Sequence, residues 1–255
     1  MSSRVFRNFC LPLALLIFPA GCQDLANQKT AAPPTSSTVT ADDVLDRCVA
    51  AYSKLRTLHA SGVFRDNRQD ERRAEPISWD LQRPDKCRVR IGQNVAIVLG
   101  DGCWNYDLQY HNFKRVKLNS RTPMETAAYV MTRGVSFLLP ALFERDQAAF
   151  GRSRTRGYVD WRLAGVAWLD EHPCYVVSRR MTIGGKEMVH RVWVDQDSYL
   201  MRAWDLIDPA LGSRDAAIVA ETLHELVADA KLPADTFNAA MSPEPRPEEA
   251  VNARQ

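Results

Sequence analysis

The sequence predicts an α+β fold, in which one amphipathic helix precedes a large antiparallel sheet and shorter helices separate two groups of strands. The hairpin at Lys186–Asp208 is the clearest evidence, because its arms alternate apolar and polar residues around a polar turn. Short apolar runs separated by glycine-containing turns over Ile77–Leu118 predict further strands. Helical spacing in Thr40–Leu55 and the lack of alternation in Pro123–Phe150 predict the helices. No boundary splits this order, so we expect one domain over residues 40–240.

Residues 1–21 are predicted to be a signal peptide. Arg4 and Arg7 precede the apolar run Phe9–Phe18, which is too short to span a bilayer and has the length of a signal-peptide core. The segment ends in Pro-Ala-Gly-Cys, which resembles the lipobox of bacterial lipoproteins, except that proline stands where leucine is usual. The resemblance implies cleavage before Cys22 and the attachment of a diacylglycerol and an acyl chain such as palmitate to it. An ordinary secretory signal that ends near a cysteine is the alternative.

The expected location is the cell envelope. Several acyl chains on Cys22 would anchor the protein stably to a membrane. Gln23 stands where aspartate would mean inner-membrane retention under the best-known sorting rule, so the outer membrane, with the domain facing the periplasm, is favoured. Residues 22–39 are polar and rich in Ser, Thr and Pro, which predicts a flexible tether. The composition of residues 241–255, with three prolines and three glutamates, predicts a disordered tail.

The charge balance gives no reason to expect nucleic acid as a partner. The chain has 33 basic and 31 acidic residues and a formal charge of +2, and residues 1–21 contain two arginines and no acid. The chain that follows them is therefore neutral, without the basic excess that nucleic-acid binding requires. An apolar fraction of 45% is enough for a sizeable core.

The first half of the chain is predicted as a helix followed by strands. Thr40 and Asp43 predict a capping box at the start of an amphipathic helix that packs on the sheet. Ile77–Ile91 is predicted as one strand, with Pro84 at an edge or a bulge. Three further strands are expected at Val95–Leu99, Cys103–Tyr110 and Phe113–Leu118.

The second half begins with helix and returns to strand. The segment after Thr122 is predicted as one or two helices, broken at Gly134 and Pro140. Strands are expected again from Tyr158, with a turn at Glu171–Pro173 before the next strand. Periodicity leaves helix and strand open for Ala217–Val227.

The cysteines after Cys22 are interpreted as buried thiols rather than disulfides. On consecutive strands, Cys87 and Cys103 would lie on either side of one strand near Leu99, about 10 Å apart, which is too far for a disulfide. A bond between Cys48 and Cys174 stays open, because one lies on the helix and the other at a strand start. Thiols that pack as small apolar groups are the favoured alternative.

Several short motifs, taken in order, resemble the LolA/LolB-like superfamily of envelope lipoprotein carriers. They are Ala50–Tyr52, Leu55–Leu58, Ser61-Gly62, Leu81–Lys86, Gly100–Gly102, His172–Val176, Val192–Asp195 and Lys231–Phe237. The resemblance implies an unclosed antiparallel β-barrel, with the N-terminal helix and the short helices plugging its concave face. It also implies a cavity for acyl chains, and it favours strand for Ala217–Val227. Apparent lipidation at Cys22 departs from the soluble periplasmic carrier of that family and brings the chain nearer to its anchored members.

No motif for catalysis or metal binding is found. The five histidines are scattered, without a paired ligand at helical spacing, and Gly-x-Ser-x-Gly, Cys-x-x-Cys and phosphate-binding loops are missing from the sequence. We therefore expect no enzyme activity, no metal site and no cofactor.

The densest apolar cluster outside the signal peptide is the candidate binding site. Phe137, Leu138, Leu142 and Phe143 would line a cavity that binds or transfers lipid or acylated protein, since each buried methylene contributes about 0.8 kcal/mol. Alternatively, the same side chains fill the barrel as core. The protein would then be a structural or sensory lipoprotein that binds another envelope protein.

Overall fold

The computed structural model describes residues 39–68, 73–108, 112–117, 122–132, 138–145, 150–153, 157–158, 160–210 and 217–238. The predicted signal peptide, Cys22, the tether, the tail and Phe137 lie outside the described residues. The helices are α1 (Ala41–Ser53), α2 (Pro123–Met131) and α3 (Leu138–Arg145). The strands are β1 (Thr57–Asp66), β2 (Arg73–Gln82), β3 (Lys86–Ile91), β4 (Asn94–Leu99), β5 (Gly102–Asp107), β6 (Asn112–Arg115), β7 (Arg152–Ser153), β8 (Gly157–Tyr158), β9 (Arg162–Leu169), β10 (His172–Ile183), β11 (Lys186–Asp195), β12 (Met201–Ile207) and β13 (Val219–Ala228).

Helix α1 begins at the predicted capping box. The Thr40 hydroxyl accepts from the Asp43 amide at 3.1 Å, and the Asp43 carboxylate accepts from the Thr40 amide at 2.9 Å. These two bonds satisfy backbone groups that the first turn of a helix leaves unpaired. One stripe of the helix is buried, as its apolar spacing predicted: Ala41, Val44, Leu45, Cys48, Val49 and Tyr52.

An eleven-stranded antiparallel sheet forms the frame of the protein, in the order β6-β5-β4-β3-β2-β1-β13-β12-β11-β10-β9. Consecutive strands pair as hairpins on both sides, and β1 pairs with β13 in the middle. The two edge strands, β6 and β9, are not joined in the described part of the chain, so the sheet remains unclosed, as predicted. Ala217–Val227, left open by periodicity, is strand, which is what the resemblance favoured.

The central hairpin matches its prediction, because both the alternation and the turn are local signals. Strands β11 and β12 flank the turn, where the Asp195 carboxylate accepts from the Ser198 amide at 2.8 Å. Asp195 and its neighbours are therefore turn residues that satisfy the backbone of the loop.

The prediction of one strand over Ile77–Ile91 is wrong. The segment forms β2 and β3, which pair with each other across a tight turn that contains Pro84. Proline therefore marks a reversal of the chain here rather than an edge or a bulge. Pro140 was also misread as a helix break: it lies in the first turn of α3, where its missing N–H needs no partner.

The two faces of the sheet differ. The inner face, defined as the face on which the three helices pack, carries the main core cluster from β1–β5 and β10–β13. Among the residues that the structure describes, the outer face carries three smaller apolar clusters, the largest around Cys174, Val176 and Trp193.

The four cysteines after Cys22 are free and buried, as interpreted from the sequence. Cys87 and Cys103 lie on either side of β4, where both pair with Val98, next to Leu99 as expected. Cys48 belongs to the main core, whereas Cys174 packs in the outer-face cluster. The Cys48–Cys174 bond that the sequence left open is therefore wrong, because the sheet lies between the two.

Candidate functional site

A carboxylate is buried in the middle of the inner face. Glu221 of β13 is fully buried and accepts from the indole nitrogens of Trp79 at 2.8 Å and Trp204 at 2.7 Å. Trp204 is its direct cross-strand neighbour, while Trp79 reaches it from β2 across β1. The two indole N–H donors replace part of the hydration that the carboxyl group loses on burial.

Tyr52 connects helix α1 to this polar centre. Its hydroxyl accepts from the Met201 amide at 3.2 Å, at the start of β12. Burial is the main cause that raises the Tyr52 pKa well above its ordinary value, and the charge of Glu221 acts in the same direction. The phenol therefore stays protonated and holds α1 against the sheet.

His190 extends the polar groups along β11. Its ring lies 6.0 Å from the Trp204 ring and 5.4 Å from the Trp161 ring. Burial, with a smaller contribution from the charge of Arg179, lowers the pKa of His190 to about 3. His190 is therefore a neutral, aromatic part of the inner face near pH 7.

Arg179 of β10 lies opposite His190 in the sheet. Its guanidinium carbon sits 4.9 Å from the centre of the Trp161 ring, in a cation–π contact. Burial lowers the Arg179 pKa, and the charge of Asp160 partly opposes that shift. We call Arg179, His190 and Glu221 the inner-face polar cluster.

The candidate lipid-binding residues that the structure describes belong to the same core. Leu142 and Phe143 are fully buried, and Leu138 is 8% exposed. All three lie on α3, which packs against α1 and α2. Burial of these side chains agrees with both interpretations made from the sequence, a cover over a ligand site and a filled core.

Polar contacts hold α3 in place at its periphery. The Arg83 guanidinium lies 4.8 Å from the centre of the Phe143 ring and donates to the carbonyl of Leu55 at 2.9 Å, just past the C-terminal end of α1. The Thr122 hydroxyl, which caps α2, donates to the Glu144 carboxylate of α3. Arg83 and Thr122 therefore tie α3 to the loop after β2 and to the start of α2.

The inner-face polar cluster was missed in the sequence. On its strand, each member has apolar residues two positions before and after it. Arg179 lies between Val177 and Met181, His190 between Met188 and Val192, and Glu221 between Val219 and Leu223. Period two places each polar side chain on the same face as its apolar neighbours. That pattern was visible, but the convergence of the groups depends on strand pairing.

In the part of the chain that the structure describes, no group of three or more His, Cys, Asp or Glu side chains is arranged to hold a metal ion. The same residues contain no helix that is both long and apolar enough to cross a membrane.

Comparison with known proteins finds similar solved structures, although no family model and no curated protein sequence matches the chain. An uncharacterized conserved protein from Thermus thermophilus is similar with a TM-score of 0.46 and 12% identity over 77% of this chain and 91% of that chain. A LolA superfamily protein from Nitrosomonas europaea is similar with a TM-score of 0.34 and 10% identity, over 80% and 99% of the two chains. The MucA/MucB complex structure from Pseudomonas aeruginosa gives a TM-score of 0.42 and 13% identity over 78% of this chain and 60% of that chain.

The architecture agrees with the LolA/LolB-like resemblance drawn from the sequence motifs. The sheet is antiparallel and unclosed, the N-terminal helix α1 precedes it in the chain, and the short helices α2 and α3 pack on its inner face. This is the arrangement that the resemblance implied.

Proposed function

We propose that the protein is a lipid-anchored protein of the bacterial envelope that binds or transfers lipid or acylated protein on the inner face of its sheet, and that it is not an enzyme. The observation that carries this proposal is the arrangement of α3. Its apolar side chains are buried over the sheet, while Arg83 and Thr122 hold it from its periphery. Such a helix can move away without breaking any strand pairing, and so uncover apolar surface for an acyl chain.

The surface beneath the helices suits a flexible apolar ligand. Met188 and Met201 of the sheet and Met124 of α2 are buried in the main core, and Met181 packs against it. Methionine side chains are unbranched and adapt to irregular shapes, so they can repack around an acyl chain at low cost.

Binding of another envelope protein is the second candidate function. Strand β9 is an edge of the sheet, and Trp168 on it is 48% exposed. An edge strand offers backbone donors and acceptors to an extended segment of a partner, and an exposed indole adds apolar contact area. In this case the inner face would be a filled core.

The test is native mass spectrometry of the full chain carrying Cys22→Ser, which removes the predicted acylation site. We expect a bound species of lipid mass that is lost after extraction with organic solvent. The apo protein should then take up a fluorescent fatty acid. A clean mass and no uptake would leave the filled core and a protein partner as the better explanation.

The variant Arg83→Met tests whether α3 is the cover. Loss of the contact with Phe143 and of the bond to the Leu55 carbonyl should loosen α3 and speed uptake by about tenfold, the factor that corresponds to 1.4 kcal/mol. Arg90→Met is the matched control, because Arg90 is exposed and bonds only the nearby Gly92 carbonyl among the described residues. Equal uptake rates in the two variants would argue against a movable α3.

A further inference from the structure

Arg179 is a cation placed on an otherwise apolar and aromatic part of the inner face. It shares this face of β10 with Tyr175, Val177 and Met181, which all belong to or pack on the main core. The Trp161 ring lies under its guanidinium, and that ring meets the Phe150 ring edge-on at 5.4 Å.

The guanidinium lacks a compensating anion within the described residues. The Arg179 Nε atom is buried and has no hydrogen-bond partner there. Asp160 acts on Arg179 through space, but its exposed side chain forms no ion pair with it in the described part of the chain. His190, on the neighbouring strand, is neutral near pH 7 and supplies no negative charge. Partial burial of an uncompensated cation is unfavourable, and an anion that binds next to it would relieve the cost.

The contrast with the next residue shows that this position is unusual. Arg180 points to the other face of the same strand and forms an exposed ion pair with Glu187 at 2.8 Å. Arg180 thus has a carboxylate partner in water. Arg179 instead has the Trp161 indole beneath it and a buried Nε atom without a hydrogen-bond partner among the described residues.

We propose that Arg179 is the headgroup site for an amphiphile that has an acyl chain and a negatively charged head, a carboxylate or a phosphate. The inference rests on the proposed function, and it names the class of ligand for the same inner face. The head accepts hydrogen bonds from the guanidinium, while the chain lies along the apolar surface past Trp161 and Phe150 towards the residues under α3. Trp161 holds the guanidinium in position, and the Trp161 indole is itself fixed by a bond to the Phe150 carbonyl at 3.1 Å.

The test compares two probes that share a chain and differ in the head: oleate and oleyl alcohol. The full chain carrying Cys22→Ser is freed of bound lipid and titrated with each probe below its micelle concentration. We expect oleate to bind at least about tenfold more tightly, which is the effect of a charge-assisted hydrogen bond on a dissociation constant. Arg179→Met should bind both probes equally, and Arg179→Lys should keep part of the preference.

Arg180→Met is the matched control and should keep the full preference for oleate. Equal binding of oleate and oleyl alcohol by the unsubstituted chain would overturn the headgroup site and leave acyl-chain binding standing. Binding of neither probe would instead reject the proposed function. Inorganic phosphate is the third probe: if it binds as tightly as oleate, the site takes a free anion and the amphiphile is wrong.

Stability without ligand gives a second readout that does not depend on the probe. Arg179→Met removes a partly buried charge that contacts the Trp161 ring but has no anionic hydrogen-bond partner among the described residues. The ligand-free variant should therefore melt at a higher temperature than the parent chain. A lower melting temperature would mean that the contact with Trp161 already outweighs the cost of burying the guanidinium, and it would contradict the inference. Circular dichroism checks that Arg179→Met and its control Arg180→Met keep the sheet.

Discussion

The two halves of the inner face are built from different residues. In the half under α2, the buried residues that β3 and β4 place on this face are all apolar: Cys87, Val89, Ile91, Ala96 and Val98. Helix α2 covers them with small and apolar side chains, among them Met124, Ala127 and Ala128. In the half formed by β10–β13, Arg179, His190 and Glu221 interrupt the apolar surface, and tryptophan rings contact all three.

Under the proposed function, this difference separates a stabilising core from the surface that binds the ligand. Burial of the apolar side chains under α2 contributes stability and needs no polar specificity. The other half loses stability by burying polar groups, and such groups are retained in a protein when they fix a structure or bind a ligand. Within this half, Glu221 is satisfied by two indoles and fixes the packing, whereas Arg179 still has a buried donor to offer.

Glu221→Ala should have the largest effect on stability. The variant leaves the indole nitrogens of Trp79 and Trp204 buried without this acceptor and opens a cavity between β2 and β12. We expect a loss of about 3–5 kcal/mol in the free energy of unfolding, measured by urea denaturation. Glu221→Gln keeps the shape and one acceptor oxygen, so it should lose about half as much. Equal losses in both variants would mean that shape rather than hydrogen bonding makes Glu221 important.

His190 should make the polar half sensitive to acid. The pKa of His190 is about 3 in the folded protein, against an ordinary value of 6.5. Between these two pH values the unfolded chain therefore binds a proton at His190 and the folded chain does not. The contribution of neutral His190 to the free energy of unfolding is complete above pH 6.5 and is lost as the pH falls towards 3. Between pH 7 and pH 4.5 we expect a loss of about 2–3 kcal/mol from this residue.

Two substitutions at position 190 separate that effect from other titrations. His190→Gln and His190→Leu should both flatten the difference in unfolding free energy between pH 7 and pH 4.5 relative to the parent chain, although they differ in stability at pH 7. If both variants keep the full dependence on pH, other groups cause it and the half-buried neutral histidine does not.

Val89→Ala tests the apolar half. Val89 is fully buried on β3, between Trp79 and Ala96 in the sheet, and loses two methyl groups in the variant. We expect a loss of about 2 kcal/mol, from the transfer of the methyl groups and the small cavity left behind. The loss should be the same at pH 7 and pH 4.5, because no titrating group is removed. A strongly pH-dependent loss would show that the two halves are coupled.

The parts of the fold that were predictable are those determined by a few neighbouring residues. The Thr40–Asp43 cap and the β11–β12 hairpin are each determined within a few residues, and both are where the sequence predicted them. The β2–β3 turn was missed because Pro84 fits both an edge strand and a turn, and only the pairing of Trp79 with Val89 decides between them.

The candidate site was less predictable, because its groups come from distant parts of the chain. Trp79 and Glu221 meet only because β1 pairs with β2 on one side and β13 on the other. Alternation along β10 does show that Arg179 and Val177 share a face, but it cannot show which face the helices cover. The apolar residues of α3 were found from composition alone, and their burial agrees with cover and core alike.

Arg180→Met should have the smallest effect, and it completes the comparison within one strand. The ion pair of Arg180 with Glu187 joins side chains that are 76% and 53% exposed, where water screens the attraction and ordering of long side chains opposes it. We expect a loss below about 0.5 kcal/mol that shrinks further in high salt. Its neighbour Arg179, substituted in the same way, should gain stability in the absence of ligand. Adjacent arginines would then respond to one substitution with opposite signs, because the sheet puts one in water and the other against Trp161. A loss at both positions would mean that the contact with Trp161 already compensates the burial of Arg179, and it would remove the physical basis for a headgroup site on the inner face.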